Sequence, residues 1–221
     1  MKKIFINKIY IIFIASLIAF FPLTIQAGSK LSPKHEKSIA AQSVIDTVRR
    51  VIDGDTFELS SGKHVRLQGI DTPEKGEPFA NASKEFADSI FHGKAVRLEM
   101  DKNDPEDKYG RFLAYAYVDD ILFNELIIKR GLARVYLFRG NQPHKNELIA
   151  AQTEARRAKV GIWSIPAPSP EPYYIAPGGS FRFHRPLCPL IKNINVKKAK
   201  RFTNRDDALD RGLSPCRECK P

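Results

Sequence analysis

Residues 65–74, VRLQGIDTPE, crowd Arg66, Asp71 and Glu74 around one glycine and one proline. A second carboxylate of the same kind, Asp55, sits in VIDGDT. Each aspartate stands where a strand gives way to a turn. Two carboxylates at neighbouring strand ends, with a backbone carbonyl nearby, make a hard-oxygen site suited to calcium. Alone, an Asp before Gly or Thr-Pro does no more than support its turn. The neighbours add to this. Arg66 points away from the face carrying Val65 and Leu67, Pro73 fixes Glu74, and DKYGR brings Arg111 in after a glycine turn. A carboxylate base, two forked guanidiniums and a divalent cation meet the needs of phosphodiester hydrolysis. The scissile phosphate repels an attacking oxyanion, and bidentate arginines bind the oxygens whose charge grows in the transition state. Taken singly, either arginine would be an ordinary surface ion pair.

The elements that must position these groups are short. Val44–Val51 is β-branched, Thr56–Leu59 follows the DGDT turn, and SSGK marks a hairpin into the alternation of Val65 and Leu67 with Arg66 and Gln68. Ala82–Phe91 has helical apolar spacing closed by Gly93, while Ala95–Met100 and Arg111–Val118 read as strands. Asp119-Asp120 is a turn, Phe123–Arg130 a short helix stopped by Gly131, and Pro143 opens a longer helix to Lys159 before Gly161. Short strands interrupted by one helix and followed by others predict a small Greek-key barrel of the OB type, an α+β domain.

VIDGDTFEL, VRLQGIDTPE and DKYGRFLAYAYV resemble the three signature blocks of the staphylococcal nuclease family, and the likeness runs from about residue 44 to 164, through NELIIKRGLARV to GIW at Trp163. The resemblance implies a five-stranded OB barrel with three helices that cleaves DNA and RNA with calcium and leaves 3′-phosphates. It implies Arg66, Glu74 and Arg111 as catalytic, and Asp55, Asp71 and the Thr72 carbonyl as calcium ligands. Asp53 matches a supporting carboxylate, and Lys108 and Tyr109 match contacts to a 5′-phosphate. Two departures stand out. The stretch KGEPFANAS after Glu74 is shorter than in the staphylococcal enzyme, and RVYLFRG offers Tyr136 and Phe138 for base stacking in an uncertain register.

The remainder of the chain divides by composition. SIPAPSPEPYY reads as an extended proline-rich linker over 165–176. The tail that follows, 177–221, holds His184, Cys188, Cys216 and Cys219, which include every cysteine of the chain. A C-x-x-C corner with one further cysteine and a histidine suits structural zinc. The alternative for an exported chain is a Cys216–Cys219 disulfide with Cys188 left over. PCRECKP resembles small Ada-type metal-binding modules, although those sites are richer in cysteine. Within the tail, TNRDDALDRG predicts a short helix capped by Asn204 and stopped by Gly212.

Lys2, Lys3 and Lys8 precede an uncharged apolar run over 9–25, with Ala27 following. This reads as a secretory signal peptide over 1–27, with a retained membrane anchor as the other reading, and predicts export to the periplasm or medium. Residues 28–42 are a polar lead-in to a nuclease-like domain over 43–164. The chain carries a formal charge of +11, unevenly spread: residues 28–172 hold 22 Lys+Arg against 21 Asp+Glu, whereas 173–221 hold 11 against 4. The basic tail is therefore expected to bind polyanions as an affinity module standing apart from the catalytic centre. DNA and RNA are the expected partners of a monomer with no obligate protein partner. The competing class is a nucleic-acid-binding barrel without catalysis, which loses the arginines and glutamate that this chain keeps.

Overall fold

The computed structural model describes residues 41–138 and 142–221, so the expected signal peptide and nearly all of the lead-in lie outside the described residues. The first part runs β1 (Ala41–Asp53), β2 (Thr56–Leu59), β3 (His64–Leu67), β4 (Gly69–Asp71) and α1 (Ala80–Phe91). It continues with β5 (Ala95–Asp101), β6 (Phe112–Val118), β7 (Ile121–Leu122), α2 (Phe123–Lys129), β8 (Arg134–Tyr136) and α3 (Lys145–Ala158). β1 is long enough to serve two partners, pairing antiparallel with β5 through its first half and with β2 through its second. Register shifts near Val48–Arg50 bend it between the two. β3 pairs with β2 across the predicted hairpin, and β6 pairs with both β5 and, in parallel, β3. That last pairing closes a five-stranded barrel, as the sequence predicts, with β7 added at one edge.

The barrel fills with the alternate residues of its strands, Val65, Leu67, Val96, Leu98 and Met100 among them. Phe91 of α1 lies 4.8 Å from the Phe57 ring and 4.2 Å from Phe123, so three aromatic rings bind the helices to the strands. Fully buried Asn124 spends its amide on the backbone: Ala116 N–H donates to its Oδ1, and its Nδ2 donates to the Gln68 carbonyl. It thereby fixes the chain where β3 turns into β4, immediately before Asp71.

The tail contains β9 (Tyr174–Ala176), β10 (Arg182–Phe183), β11 (Lys200–Phe202), α4 (Arg205–Asp210) and β12 (Ser214–Pro215). As predicted, Asn204 caps α4 by accepting from Asp207 N–H at 2.8 Å, and Gly212 follows with a positive φ. Two expectations are corrected here. The proline-rich stretch is not an unpacked linker throughout, because Tyr174 and Ala176 are buried in β9 and Glu171 pairs with Arg185. Nor does the tail stand apart. The described residues belong to one compact unit, in which buried Gln152 of α3 accepts from Val135 N–H and donates to the Leu209 carbonyl of α4 at 3.4 Å.

Gly131, after α2, and Gly161, after α3, meet backbone to backbone. Ile162 N–H donates to the Gly131 carbonyl at 2.8 Å, and a Cβ on Gly131 would stand 2.2 Å from the Val160 oxygen. Both glycines also have positive φ. Gly131→Ala should therefore lower stability by at least about 2 kcal/mol, read as a shift in the urea midpoint.

Candidate active site

The site lies where β2 begins and β3 passes into β4. Gly54 makes the first approach possible, because a Cβ there would come within 2.8 Å of both Ser83 and Thr72. Asp55 is thus brought against Thr72, whose N–H and hydroxyl donate to its Oδ2 at 2.9 and 3.0 Å. Gly69, with φ of 74°, turns the chain from β3 into β4 so that Asp71 arrives beside Asp55. Arg66 joins the two carboxylates: its Nη2 lies 3.2 Å from Asp55 and 3.5 Å from Asp71. Its Nη1 donates to the Leu67 and Ile70 carbonyls, so the guanidinium is locked before any ligand arrives.

Both aspartates are buried, at 6% and 5% exposure, and the electrostatics follow from that. Burial pushes the pKa of Asp55 up to about 6. The Arg66 charge pulls it down, while Asp53 and Asp71 add to the rise. A buried, all-oxygen pair in which Asp55 resists carrying its negative charge fits a hard divalent cation, and Asp55 and Asp71 are the side chains that would hold it.

Glu74 lies at the rim, with its side chain 60% exposed. Arg111, Lys108 and Tyr109 gather around Asp107 instead. Asp107 accepts from Arg111 Nε at 2.8 Å and from the Tyr109 and Arg111 backbone N–H groups. Burial works to raise the Asp107 pKa, but these donors outweigh it and hold the carboxyl below its ordinary value. No ion pair among the described residues joins this group to the Asp55–Asp71 pair. Tyr136 and Phe138 stack with centroids 5.1 Å apart, and Arg66 lies 6.0 Å from the Phe138 ring, so an aromatic pair does flank the site.

Two site residues escape the sequence analysis altogether. Arg217, between Cys216 and Cys219, places Nη2 2.6 Å from Asp71 Oδ1 and donates through Nη1 to Glu74. Arg182 reaches Asp71 at 3.4 Å while covering the Tyr136 ring at 4.3 Å. The expectation that the tail stands apart from the catalytic centre is corrected by these contacts. Their sequence separation from Asp71 exceeds 100 residues, so no local pattern reports them.

Comparison with known proteins accords with this geometry. The model of the staphylococcal nuclease homologue family matches residues 64–165. A thermonuclease of Staphylococcus hyicus is 35% identical over 174 residues, covering 74% of this chain and 99% of that protein. The chain belongs to the staphylococcal nuclease family. A thermonuclease of Staphylococcus intermedius is 38% identical over 125 residues, covering 52% of this chain and 74% of its own length. Endonuclease YncB of Bacillus subtilis is 38% identical over 150 residues, covering 63% and 70% respectively. The family match ends at residue 165, so the tail arginines that enter the site lie beyond it.

A second constellation lies in the tail. One donor atom from each of His184, Cys188, Cys216 and Cys219 falls within 4.8 Å of all the others. His184 Nδ1 is 3.3 Å from Cys188 Sγ, and Arg185 N–H donates to Cys219 Sγ at 3.3 Å. All three cysteines are free. Burial pushes the Cys219 thiol up to about 12, with Cys188 and Cys216 adding to the rise, and it holds His184 below its ordinary value. A neutral imidazole beside three crowded sulfurs, with the Cys219 thiol resisting ionisation in the absence of a cation, suits a borderline-soft metal.

The raised pKa of Asp55 fixes a sign. The folded chain keeps a proton between 3.8 and about 6 that the unfolded chain has lost, so the contribution of this group to stability is full below 3.8 and is lost progressively as pH rises through about 6. In chelator, Asp55→Asn should melt above the parent at about pH 8, and the gap should shrink toward about pH 5. Calcium should raise the melting temperature of the parent at the higher pH and leave Asp55→Asn unmoved.

Proposed function

We propose that this protein is an exported, calcium-dependent nuclease that hydrolyses phosphodiester bonds of DNA and RNA and leaves 3′-phosphates. The observation that carries the reading is the convergence of Arg66 on two buried carboxylates, with Glu74 three residues beyond Asp71. The relatives named as thermonucleases and an endonuclease support it. Export rests on the apolar run near the start of the chain.

In this reading Glu74 orients a water and takes its proton as the oxygen attacks phosphorus in line with the departing 5′ oxygen. Arg66, with Nη1 held by two carbonyls, reaches the non-bridging oxygens by turning its Nη2 edge off Asp55 and Asp71. Arg111 acts on the same phosphate, with Asp107 holding the Nε edge of its guanidinium. Lys108 and Tyr109 receive the neighbouring 5′-phosphate. Asp55, Asp71 and the Thr72 carbonyl hold the ion, and calcium bound there supplies charge neutralisation at the phosphate. The tail assists nucleic-acid binding, and a structural zinc on His184, Cys188, Cys216 and Cys219 organises it.

Purified protein should digest plasmid and RNA with calcium and lose that activity in excess chelator; full activity in chelator would refute the reading. Arg66→Lys and Arg111→Lys keep the charge but lose the fork, and with Glu74→Gln each should cut turnover by about 10²-fold or more. Near-parental rates in all three would remove the site assignment. For the tail, one zinc per chain is expected by metal analysis after purification, with Cys216→Ser losing most of it; equal zinc in both would place the metal elsewhere.

A further inference from the structure

Between α3, the segment after it and the tail opens a cleft of about 830 Å³ whose lining includes Asp71 and Thr72. Three buried side-chain atoms among the described residues lack any hydrogen-bond partner: Arg134 Nε, Trp163 Nε1 and Ser214 Oγ. All three residues line this cleft. Arginine Nε and indole nitrogen can only donate, and a serine hydroxyl can do so, so the unmet demand is for an acceptor. The surrounding charge is net positive, although Asp71, Glu77 and Asp206 also line the cleft. Arg134 and Arg205 approach the Trp163 ring at 6.0 and 5.9 Å, and Arg182 also lines the cleft. Burial, and then the charge on Arg134, weigh against the charge on Arg205. Arginines gathered this closely, with donors left unpaired, describe an anion site.

We propose that this cleft binds a phosphate group through Arg134, Arg205, Trp163 and Ser214. The chemistry fits either a phosphodiester of a strand whose neighbouring phosphate lies at Asp71 or free phosphate. The strand as source rests on the nuclease reading, whereas the phosphate chemistry does not.

Trp163 is the single tryptophan of the chain, so its emission reports on the cleft alone. The full chain is titrated with no calcium added, using sodium phosphate, sodium chloride at matched ionic strength, and a short single-stranded oligonucleotide. Phosphate should give a saturable change and chloride none. An oligonucleotide that saturates at a lower concentration of phosphate groups identifies the strand as ligand, and equal concentrations identify the free anion. Arg205→Gln and Ser214→Ala should each weaken binding about tenfold or more. Ser214→Ala loses no hydrogen bond within the protein, so an unchanged melting temperature separates lost binding from lost fold. The same response to phosphate and chloride, or parental affinity in both variants, would overturn the site and leave ordered water as the partner of these donors.

The contacts of Arg217 carry a separate inference, one that rests on the calcium reading. At 2.6 Å from Asp71 Oδ1, its guanidinium takes the oxygen a cation would need, and it also engages Glu74. A guanidinium and a divalent cation on one carboxylate oxygen repel each other. We infer that Arg217 and calcium exclude one another, so that the tail holds the centre closed until the ion displaces it. Cys216 and Cys219 flank Arg217, which ties its reach to the tail metal site.

Calorimetric calcium titration of the full chain and of Arg217→Gln, without nucleic acid, tests this. The variant should bind about five- to tenfold more tightly. The Arg217 side chain is 46% exposed and lies in neither core, so its loss leaves the fold standing. Equal affinities would overturn the exclusion alone. Absence of calcium binding in both proteins would remove the calcium reading and this inference together.

Discussion

Asp55 and Asp71 are two carboxylates nearly closed off from water, set side by side by strands that must turn sharply to do so. An uncompensated buried charge costs several kcal/mol, and two that face each other cost more. Much of the local architecture answers this demand. Gly54 and Gly69 permit the approach, Thr72 supplies two donors, and Arg66 is threaded between the acids with its Nη1 on two backbone carbonyls. One guanidinium does not balance the set. Arg182 and Arg217 arrive from the tail, so that Asp55, Asp71 and Glu74 meet three arginines. The charge balance of the centre thus depends on residues outside the barrel that builds it.

Where the sequence was legible, local physics explains why. Alternation in HVRL sends Val65 and Leu67 inward and leaves Arg66 on the other face, and Asn204 announces α4 because its side-chain oxygen accepts from the N–H three residues on. Charge and turn chemistry at strand ends likewise marked Asp55 and Asp71 before any contact was known. Boundaries were blurred by terminal turns: Pro143 falls in the turn before α3, which begins at Lys145. The pairing of β4 with β8 was not legible, since three-residue strands carry too little pattern to announce a partner. Nor was the docking of the tail. A net charge describes a segment, whereas the reach of one arginine into a distant carboxylate depends on a surface formed only after both parts have folded.

The two constellations differ in hardness as well as position. Carboxylate oxygens make up the Asp55–Asp71 pair, and sulfur with one imidazole makes up the tail cluster. Ligand type alone would then sort a hard ion to one and a borderline-soft ion to the other without competition. Arg217, bracketed by two of the sulfur ligands and bonded to the oxygen site, touches both environments.

The proline-rich segment finally has a mechanical meaning. It runs as a strap from Ser164, at the end of the short 3₁₀ turn after α3, to Tyr174, and residues 165–170 are exposed along its length. The parts on either side are clamped elsewhere, by the Gln152 bridge to α4, by Arg156 on Asp206 and Asp210, and by Arg217 on Asp71. Covalent continuity through the strap is therefore not what holds the tail in place. A protease that nicked it would leave two fragments migrating as one particle, with the arginines still seated over the carboxylates.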